Sequence, residues 1–319
     1  MRHLLGIDIG GSGSRVALAG GGAGRTEFAG DRIGITAAGS TVPDTVIALV
    51  RRALAEWPAA TEDLAGVGVG ATGLATLVER PDDLVADVAM TVATATGHRV
   101  GVAIAVDAVT AHLGALGGDG GVIVALGTGA IALGTDGRDI WRRVDGWGHL
   151  LGDRGAGAWI GMQGLGQAMR AYDGVDATGA VLLDAARRRF GEPLTWPGQL
   201  YTRADRAGVL ASFAADVVSA AADGDASSTA IVVEAGREAA RSAAAALHPG
   251  LPPVVATTGG MFRAAGALTA AFAETLSELR PDAALQTAVG DPLDGALILA
   301  ERAASGAIDT HTPYVWVGY

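Results

Sequence analysis

Polar residues follow apolar runs at three places near the middle of the sequence. They are Asp107, the turn Gly127-Thr128-Gly129, and a glycine-rich stretch that contains Trp147 and Asp153. In α/β proteins the loops after strands carry ligands, because backbone N–H groups and short side chains are open to an incoming molecule there. A carboxylate can accept a proton, and a glycine-rich turn can bring backbone N–H groups against a phosphate. We therefore predict one active site built from these segments.

The composition excludes several classes of protein. The 319 residues are 50% hydrophobic and include no cysteine, which rules out disulfides, thiolate zinc sites, iron–sulfur clusters and thiol nucleophiles. The formal charge of −11 argues against binding nucleic acid, because affinity for a phosphate backbone needs clustered Lys and Arg. No apolar run approaches transmembrane length, and charge comes too early for a secretory signal. We predict a cytoplasmic protein that binds neither nucleic acid nor membrane.

Strands and helices are predicted to alternate in the first third of the chain. Apolar runs indicate strands at Leu4 to Ile9, Val67 to Ala71 and Val100 to Val106. Helical spacing indicates helices at Pro43 to Trp57 and Asp82 to Ala95. The alternation predicts parallel pairing in an α/β domain, and the length exceeds that of one usual hydrophobic core, which favours two domains.

The second half is predicted to be mainly helical. The segments LLGIDIGGSGSRVALAG and GVIVALGTGAIALGTDG share one pattern of strand, small-residue turn and strand, which suggests two related domains. Helices are predicted at 156–172, 175–190, 203–222, 227–247 and 292–304, strands at 252–257 and 285–289, and an aromatic tail of no predicted role at 305–319.

Several of these residues also have plain structural explanations. A glycine-rich loop after Asp8 is typical of a phosphate loop and equally of an ordinary hairpin turn. Asp107 directly precedes a predicted helix at 108–116 and could simply be its N-cap. Trp147, taken alone, could be a core residue.

Four motifs occur in one order along the chain. They are Asp8-Ile-Gly-Gly-Ser-Gly-Ser, Gly127-Thr-Gly, Gly146-Trp-Gly-His-Leu-Leu-Gly-Asp153 and Thr258-Gly-Gly-Met-Phe. Together they resemble the actin-like sugar kinase and Hsp70 ATPase superfamily, and most closely the N-acetylglucosamine kinase branch of the BadF/BadG/BcrA/BcrD ATPase family. The resemblance covers essentially the whole chain.

The resemblance implies two actin-like (ribonuclease H-like) α/β domains with a cleft between them. The N-terminal domain would comprise residues 1–106 plus 293–319, and the C-terminal domain, with helical insertions, residues 107–292. The implied ligands are ATP, Mg²⁺ and a small-molecule amino sugar, and the implied assembly is a homodimer. The γ-phosphate would pass to the 6-hydroxyl of N-acetylglucosamine or a close relative.

The resemblance also assigns roles to individual residues. Asp107 would be the catalytic residue that accepts the proton of the attacking hydroxyl, and Asp8 would hold Mg²⁺ through water. The nucleotide would contact Gly10, Gly11, Ser12, Gly13, Ser14, Arg15, Gly127, Thr128, Gly259, Gly260 and Met261. The sugar would contact Thr72, Gly73, Asp107, Thr128, Gly129, Gly146, Trp147, Gly148, Asp153 and Gly157.

Two departures from the family pattern bear on the sugar. The family commonly has an acidic residue after the sugar-binding aspartate, where this chain has Arg154, and a sugar-contacting asparagine is missing from the stretch Arg32 to Thr36. Glucosamine and N-acetylmuramic acid therefore stay alternatives to N-acetylglucosamine. A non-enzymatic actin-like ATP-binding protein is the alternative of a different class. A related branch that activates dehydratases is excluded, because it needs a cysteine-bound iron–sulfur cluster.

Overall fold

A computed structural model describes residues 2–10, 13–20, 24–31, 35–36 and 39–319. The predicted nucleotide-binding residues Gly11 and Ser12 lie outside the described residues. So do residues 32–34, which belong to the stretch that lacks the family's asparagine. The strands are β1 (His3–Gly10), β2 (Gly13–Ala19), β3 (Arg25–Gly30), β4 (Ile35–Thr36), β5 (Gly39–Ser40), β6 (Leu64–Ala71), β7 (Gly101–Val106), β8 (Gly121–Leu126), β9 (Ala130–Thr135), β10 (Trp141–Asp145), β11 (Val254–Thr258), β12 (Ala284–Thr287) and β13 (Val315–Gly318).

Helices connect most of these strands. They are α1 (Val42–Glu56), α2 (Leu74–Leu77), α3 (Pro81–Thr96), α4 (Asp107–Ala115), α5 (Gly157–Tyr172), α6 (Ala180–Phe190), α7 (Trp196–Tyr201), α8 (Arg206–Ala222), α9 (Ala226–Ala246), α10 (Gly260–Ala264), α11 (Gly266–Leu279) and α12 (Pro292–Ser305). Among the described residues, no single helix has the length and apolar composition to span a membrane, and only the sharply bent pair α8 and α9 would pass that test jointly.

The predicted alternation of strands and helices is confirmed, with differences at some ends. The helix predicted at 175–190 begins at Ala180, because the Asp176 side chain accepts the Thr178 N–H and starts a short 3₁₀ turn first. The tail at 305–319, for which the sequence predicted no role, contains β13, which pairs antiparallel with β7. That pairing joins strands separated by about two thirds of the chain, so local sequence patterns do not predict it.

The chain divides into two compact units. The first comprises residues 1–120, 135–140 and 287–319, and the second comprises residues 121–134 and 141–286. This division groups α4 with the first unit. The functional domain bounds of 1–106 plus 293–319 and of 107–292 stay a prediction.

The first unit is built on a sheet in the order β13-β7-β6-β1-β2-β3. Strands β1, β6 and β7 are parallel, whereas β2 and β13 run antiparallel to their neighbours. The sheet, α1 and α3 share an apolar core that includes Val46, Val88 and Trp316, each almost fully buried.

Alternating glycines let one helix lie directly on the sheet of the first unit. In β6, Val67 and Val69 enter the core, while Gly66 and Gly68 take the alternate positions. A Cβ at Gly68 would lie 2.1 Å from the Ala296 carbonyl oxygen of α12. The GVGVG pattern therefore sets valines against one layer of helices and leaves room for the α12 backbone on the other face.

The second unit is built on a sheet in the order β10-β9-β8-β11-β12, with β8 and β11 parallel. Small residues bring its helices close together: a Cβ at Gly161 of α5 would lie 1.9 Å from the Leu210 carbonyl of α8, and one at Gly236 of α9 would lie 2.2 Å from the Leu268 carbonyl of α11. Phe213 and Phe272 fill the remaining space and are fully buried. This packing gives the loops after β8, β10 and β11 a rigid base.

Candidate active site

In the first unit, the parallel strands end at one level and bring three predicted residues together. Ile9 of β1 pairs with Ala71 of β6, and Ala71 pairs with Val106 of β7. Thr72 and Asp107 each follow directly, and the Thr72 N–H donates to the Ile9 carbonyl at 2.9 Å. Carboxyl ends of parallel strands are where ligands bind in open α/β sheets. The register therefore collects Asp8, Thr72 and Asp107 at one edge.

Asp107 is the first residue of α4, and its carboxylate is oriented from two sides. Its Oδ1 accepts the Ala108 N–H at 2.9 Å, and the Thr72 hydroxyl also donates to this carboxylate. Burial raises the pKa of the Asp107 carboxyl, and the charge of Asp8 acts in the same direction, against these hydrogen bonds. The helix begins at Asp107 with Val106 as its N-cap, so the simple N-cap explanation of Asp107 is wrong. Its carboxylate bonds the next amide instead.

Asp8 lies in a network of charged groups that extends to α12. Arg15 stands opposite Asp8 in the β1–β2 register and donates to its Oδ2 at 3.0 Å. The same guanidinium donates to Asp291 Oδ2 at 2.6 Å. Burial raises the pKa of Asp8, although Arg15 opposes the effect. Asp291 also caps α12 by accepting the N–H groups of Leu293 and Asp294.

Other predicted residues of the first unit have structural contacts. Ser14 is buried and its hydroxyl donates to the Asp31 carbonyl at 2.9 Å. Gly10 pairs with Gly13 where β1 turns into β2. Gly73 has a left-handed φ of 72° and precedes α2. The roles of these residues toward a ligand stay predictions.

In the second unit, the turn Gly127-Thr128-Gly129 joins β8 to β9 and is bonded to the start of α5. The Gly127 N–H donates to the Gly129 carbonyl, and the carbonyls of Gly127 and Thr128 accept the N–H groups of Gly157 and Ala158 at 2.9 and 3.0 Å. Gly127 and Thr128 are exposed. The turn is thereby held rigidly while the Thr128 side chain stays accessible.

Residues 145–153, which we call the aspartate loop, place Asp153 against this turn. The Asp153 side chain accepts N–H groups of Gly148, at 3.2 Å from Oδ1, and of Ala130. A Cβ on Gly129 would lie 2.8 Å from Asp153 Oδ2. Burial raises the pKa of Asp153, and the charge of Asp145 adds to this effect. The second unit therefore brings the predicted residues Gly129, Gly148 and Asp153 together.

Trp147 is exposed and not a core residue. Its side chain is 64% exposed, and the Arg143 guanidinium carbon lies 4.3 Å from its ring centroid. Arg143 also donates to the Gly146 carbonyl. The cation covers one ring face and holds the indole in place, so the tryptophan can present its other surface to a ligand.

The third glycine loop begins where β11 ends, beside β8. Thr258 pairs with Ala125, and Gly259 has a φ of 104°. A Cβ on Gly259 would lie 2.1 Å from the Leu126 carbonyl, so only glycine fits there. Gly260 and Met261 are the first residues of α10. Apart from its neighbours in the chain, no atom lies within 4 Å of the position that a Cβ on Gly260 would take.

Three residues of these networks were not predicted from the sequence. Arg143 and Asp145 precede the glycine-punctuated motif, and Asp291 precedes the last helix by one residue. The N-cap role of Asp291 could have been predicted, because Asp-Pro-Leu-Asp is a capping pattern. The pairing of Asp291 with Arg15 and the contacts of Asp145 depend on the folded backbone, and no sequence pattern predicts them.

Known proteins resemble the chain in sequence. A sequence profile of the BadF/BadG/BcrA/BcrD ATPase family matches residues 5–297. The N-acetylmuramic acid/N-acetylglucosamine kinase of Clostridium acetobutylicum is 29% identical over 187 residues, which make up 56% of this chain. The alignment spans 60% of that relative's length.

Solved structures resemble the chain over nearly its whole length. A candidate N-acetylglucosamine kinase from Chromobacterium violaceum is 27% identical, with a TM-score of 0.65 over 94% of this chain and 99% of that one. A ROK family glucokinase from Streptomyces griseus, solved with glucose and AMPPNP, is 19% identical, with a TM-score of 0.57 over 94% and 99%. This second likeness concerns the fold alone. Together they confirm the predicted fold class, an actin-like α/β fold, here built on a six-stranded and a five-stranded sheet.

Proposed function

Because the chain belongs to the BadF/BadG/BcrA/BcrD ATPase family, whose profile covers residues 5–297, we propose that it is an ATP-dependent amino-sugar kinase. The proposed reaction transfers the γ-phosphate of ATP to the 6-hydroxyl of N-acetylglucosamine or a close relative. The kinase names of the relatives from Clostridium acetobutylicum and Chromobacterium violaceum support this substrate class. Glucosamine and N-acetylmuramic acid stay alternatives, and the second is named in the Clostridium relative.

The oriented carboxylate of Asp107 is the observation that carries the proposal. Phosphoryl transfer to a hydroxyl needs a group that accepts one proton at a fixed position. Thr72 and the Ala108 N–H hold the Asp107 carboxylate, and its raised pKa makes it a better proton acceptor than an ordinary aspartate. In the proposed step, the oxygen of the sugar hydroxyl bonds to the γ-phosphorus while Asp107 takes the hydroxyl proton. The bond between the γ-phosphorus and ADP breaks at the same time.

Mg²⁺ fits the charges at this edge of the sheet. Burial raises the pKa of both Asp8 and Asp107; the charge of Asp291 adds to the effect on Asp8, the charge of Asp8 adds to the effect on Asp107, and Arg15 opposes the shift of Asp8. No group of three or more potential metal-binding side chains lies together in the described part of the chain, which suits an ion held mainly by water and phosphate oxygens. We propose that Asp8 holds Mg²⁺ through water. When bound, the ion would neutralise charge on the phosphates.

The glycine loops are the proposed nucleotide contacts. The exposed Thr128 can offer its hydroxyl and N–H to the γ-phosphate, from a turn fixed by α5. Gly259, Gly260 and Met261 would contact the adenosine, where the absence of a side chain at Gly260 leaves the backbone open. Gly10 to Arg15 are proposed as the first phosphate loop.

The aspartate loop is the proposed sugar contact. A carboxylate such as Asp153 accepts hydrogen bonds from vicinal hydroxyls and thereby fixes the orientation of a sugar. Trp147, held by Arg143, would pack against the apolar face of the ring. Thr72, Gly73, Gly129, Gly146 and Gly157 complete the predicted set. A homodimer and a cytoplasmic location also stay predictions.

A substrate panel tests the proposal. ADP release would be measured with ATP and Mg²⁺ against N-acetylglucosamine, N-acetylmuramic acid, glucosamine and glucose, with 6-deoxy-N-acetylglucosamine as the control for position. We expect at least tenfold stimulation by one amino sugar, no stimulation by the 6-deoxy sugar, and a product whose phosphorus couples to the C6 protons in NMR. Sugar-independent hydrolysis, or polymerisation that depends on protein concentration, would instead support the non-enzymatic alternative.

A further inference from the structure

The aspartate loop contains an unusual pair of backbone conformations. Asp145 and Asp153 are the non-glycine residues with positive φ in the described part of the chain, at 63° and 54°. Glycine adopts this conformation without penalty, whereas a residue with a side chain adopts it only where the surroundings enforce it. Aspartate is one of the side-chain residues most often found in this conformation, and here both carboxylates accept backbone N–H groups within the loop.

The carboxylate of Asp145 holds the backbone of Asp153 from across the loop. Its Oδ1 accepts the Asp153 N–H and its Oδ2 accepts the Arg154 N–H, each at 2.7 Å. Both oxygens thus bind successive amides eight and nine residues further along the chain. A Cβ at Gly152 would lie 2.2 Å from Asp145 Oδ1, so the glycine before Asp153 is what lets the carboxylate approach.

The Asp153 carboxylate has few ways to move once its backbone is fixed. It is 8% exposed, and it receives N–H groups from Gly148 and Ala130. Gly129 lies against its Oδ2, where a side chain would not fit. The left-handed backbone, the two hydrogen bonds that the Asp153 and Arg154 amides donate to Asp145, and the glycine contact therefore act together to set the direction of one carboxylate.

We propose that Asp145 is a positioning residue for sugar binding, which holds Asp153 in the orientation that binds the sugar hydroxyls. This inference rests on the proposed function, because it assigns the sugar to Asp153. It adds a residue that none of the four sequence motifs contains. Asp145 does not contact the sugar in this proposal and acts only through the Asp153 and Arg154 amides.

Two substitutions separate this role from a general effect on folding. Asp145→Gly removes the carboxylate at a position whose φ glycine adopts freely, so the variant should fold. Asp145→Asn keeps one side-chain oxygen acceptor. We expect Asp145→Gly to raise the KM for N-acetylglucosamine at least tenfold with the KM for ATP unchanged, and Asp145→Asn to restore part of the loss.

Asp136 supplies the matched control. Its Oδ1 accepts the N–H groups of Arg138, Asp139 and Ile140 at 2.9 to 3.0 Å in a turn of the first unit, so it too organises backbone through a carboxylate. Asp136→Gly should leave both KM values unchanged. Equal rises of both KM values in Asp145→Gly would contradict the proposal and indicate a general structural defect.

Amide hydrogen exchange gives a readout that needs no substrate. In Asp145→Gly the amides of Asp153 and Arg154 should exchange at least tenfold faster than in the wild type, and amides of α9 should be unchanged. Unchanged exchange at both amides overturns the inference. If the wild type binds none of the sugars in calorimetry, the proposed function fails. If it binds them and Asp145→Gly binds equally well, this inference alone fails.

Discussion

Replacing Asp107 by asparagine removes the proposed proton acceptor while keeping the hydrogen bonds around it. The asparagine Oδ1 can accept the Ala108 N–H as the aspartate does at 2.9 Å. The Thr72 hydroxyl, which donates to the carboxylate, can rotate to accept from the new amide. The shape and the partners of the side chain persist, so the first unit should keep its fold.

The two expected effects of Asp107→Asn have opposite signs. General base catalysis contributes about 10²–10⁴ in rate, so kcat should fall by that factor, or about 3–5 kcal/mol in the barrier. The pKa of Asp107 is raised in the folded protein. Stability from this group is therefore complete below its unfolded pKa and is lost as the pH rises through the folded value. An asparagine side chain does not ionise, so the variant avoids this loss of stability. At pH 7 it should therefore melt at or above the wild-type temperature.

The assay couples ADP release to oxidation of NADH, with thermal melting and calorimetric binding of ATP and sugar on the same samples. Asp44→Asn is the control, because Asp44 also lies in the first turn of a helix but is exposed. It should change neither rate nor melting. A kcat within tenfold of wild type in Asp107→Asn refutes the role of Asp107 as base. A fall in melting temperature would refute the reasoning about its burial.

Three further results are expected. Gly295→Ala should destabilise the protein by about 1–3 kcal/mol in urea denaturation, since its Cβ would lie 1.7 Å from the Thr110 carbonyl oxygen. Gly266→Ala, with open space around it, should change stability by less than about 1 kcal/mol, and similar losses in both variants would contradict the packing argument. Trp316→Ala should cost about 3–5 kcal/mol, because this residue is 4% exposed, and a loss below about 1 kcal/mol would count against a core role. The pH profile of kcat/KM should fall in acid with an apparent pKa above that of an ordinary aspartate, because protonated Asp107 accepts no proton, and a profile flat to pH 4 would contradict this.

Local patterns predict the strands, the helices and the polar residues at strand ends, whereas the roles of the candidate site residues come from the family resemblance. Apolar runs that end in Asp8, Thr72 or Asp107 indicate strands with polar residues at their carboxyl ends. Parallel pairing then places those ends at one edge, as the register of β1, β6 and β7 does. The order of these strands in the sheet, which was not predicted from the sequence, is what makes the three strand ends neighbours.

The remaining parts depend on distant or backbone-determined contacts. The Arg15 bond to Asp291 joins residues 276 positions apart. The role inferred for Asp145 depends on a left-handed backbone and on which amides lie within its reach, and neither is coded by residue type alone. Such contacts are set by packing after the elements have formed.

Strand β13 also protects the protein from association through its sheet. It covers the outer edge of β7, whose sequence Gly-Val-Ala-Ile-Ala-Val is uncharged, free of proline and rich in β-branched residues. Uncovered strands of this composition pair readily with copies of themselves and form aggregates. Expression tags and truncations placed near residue 315 would therefore endanger solubility before they affected any ligand.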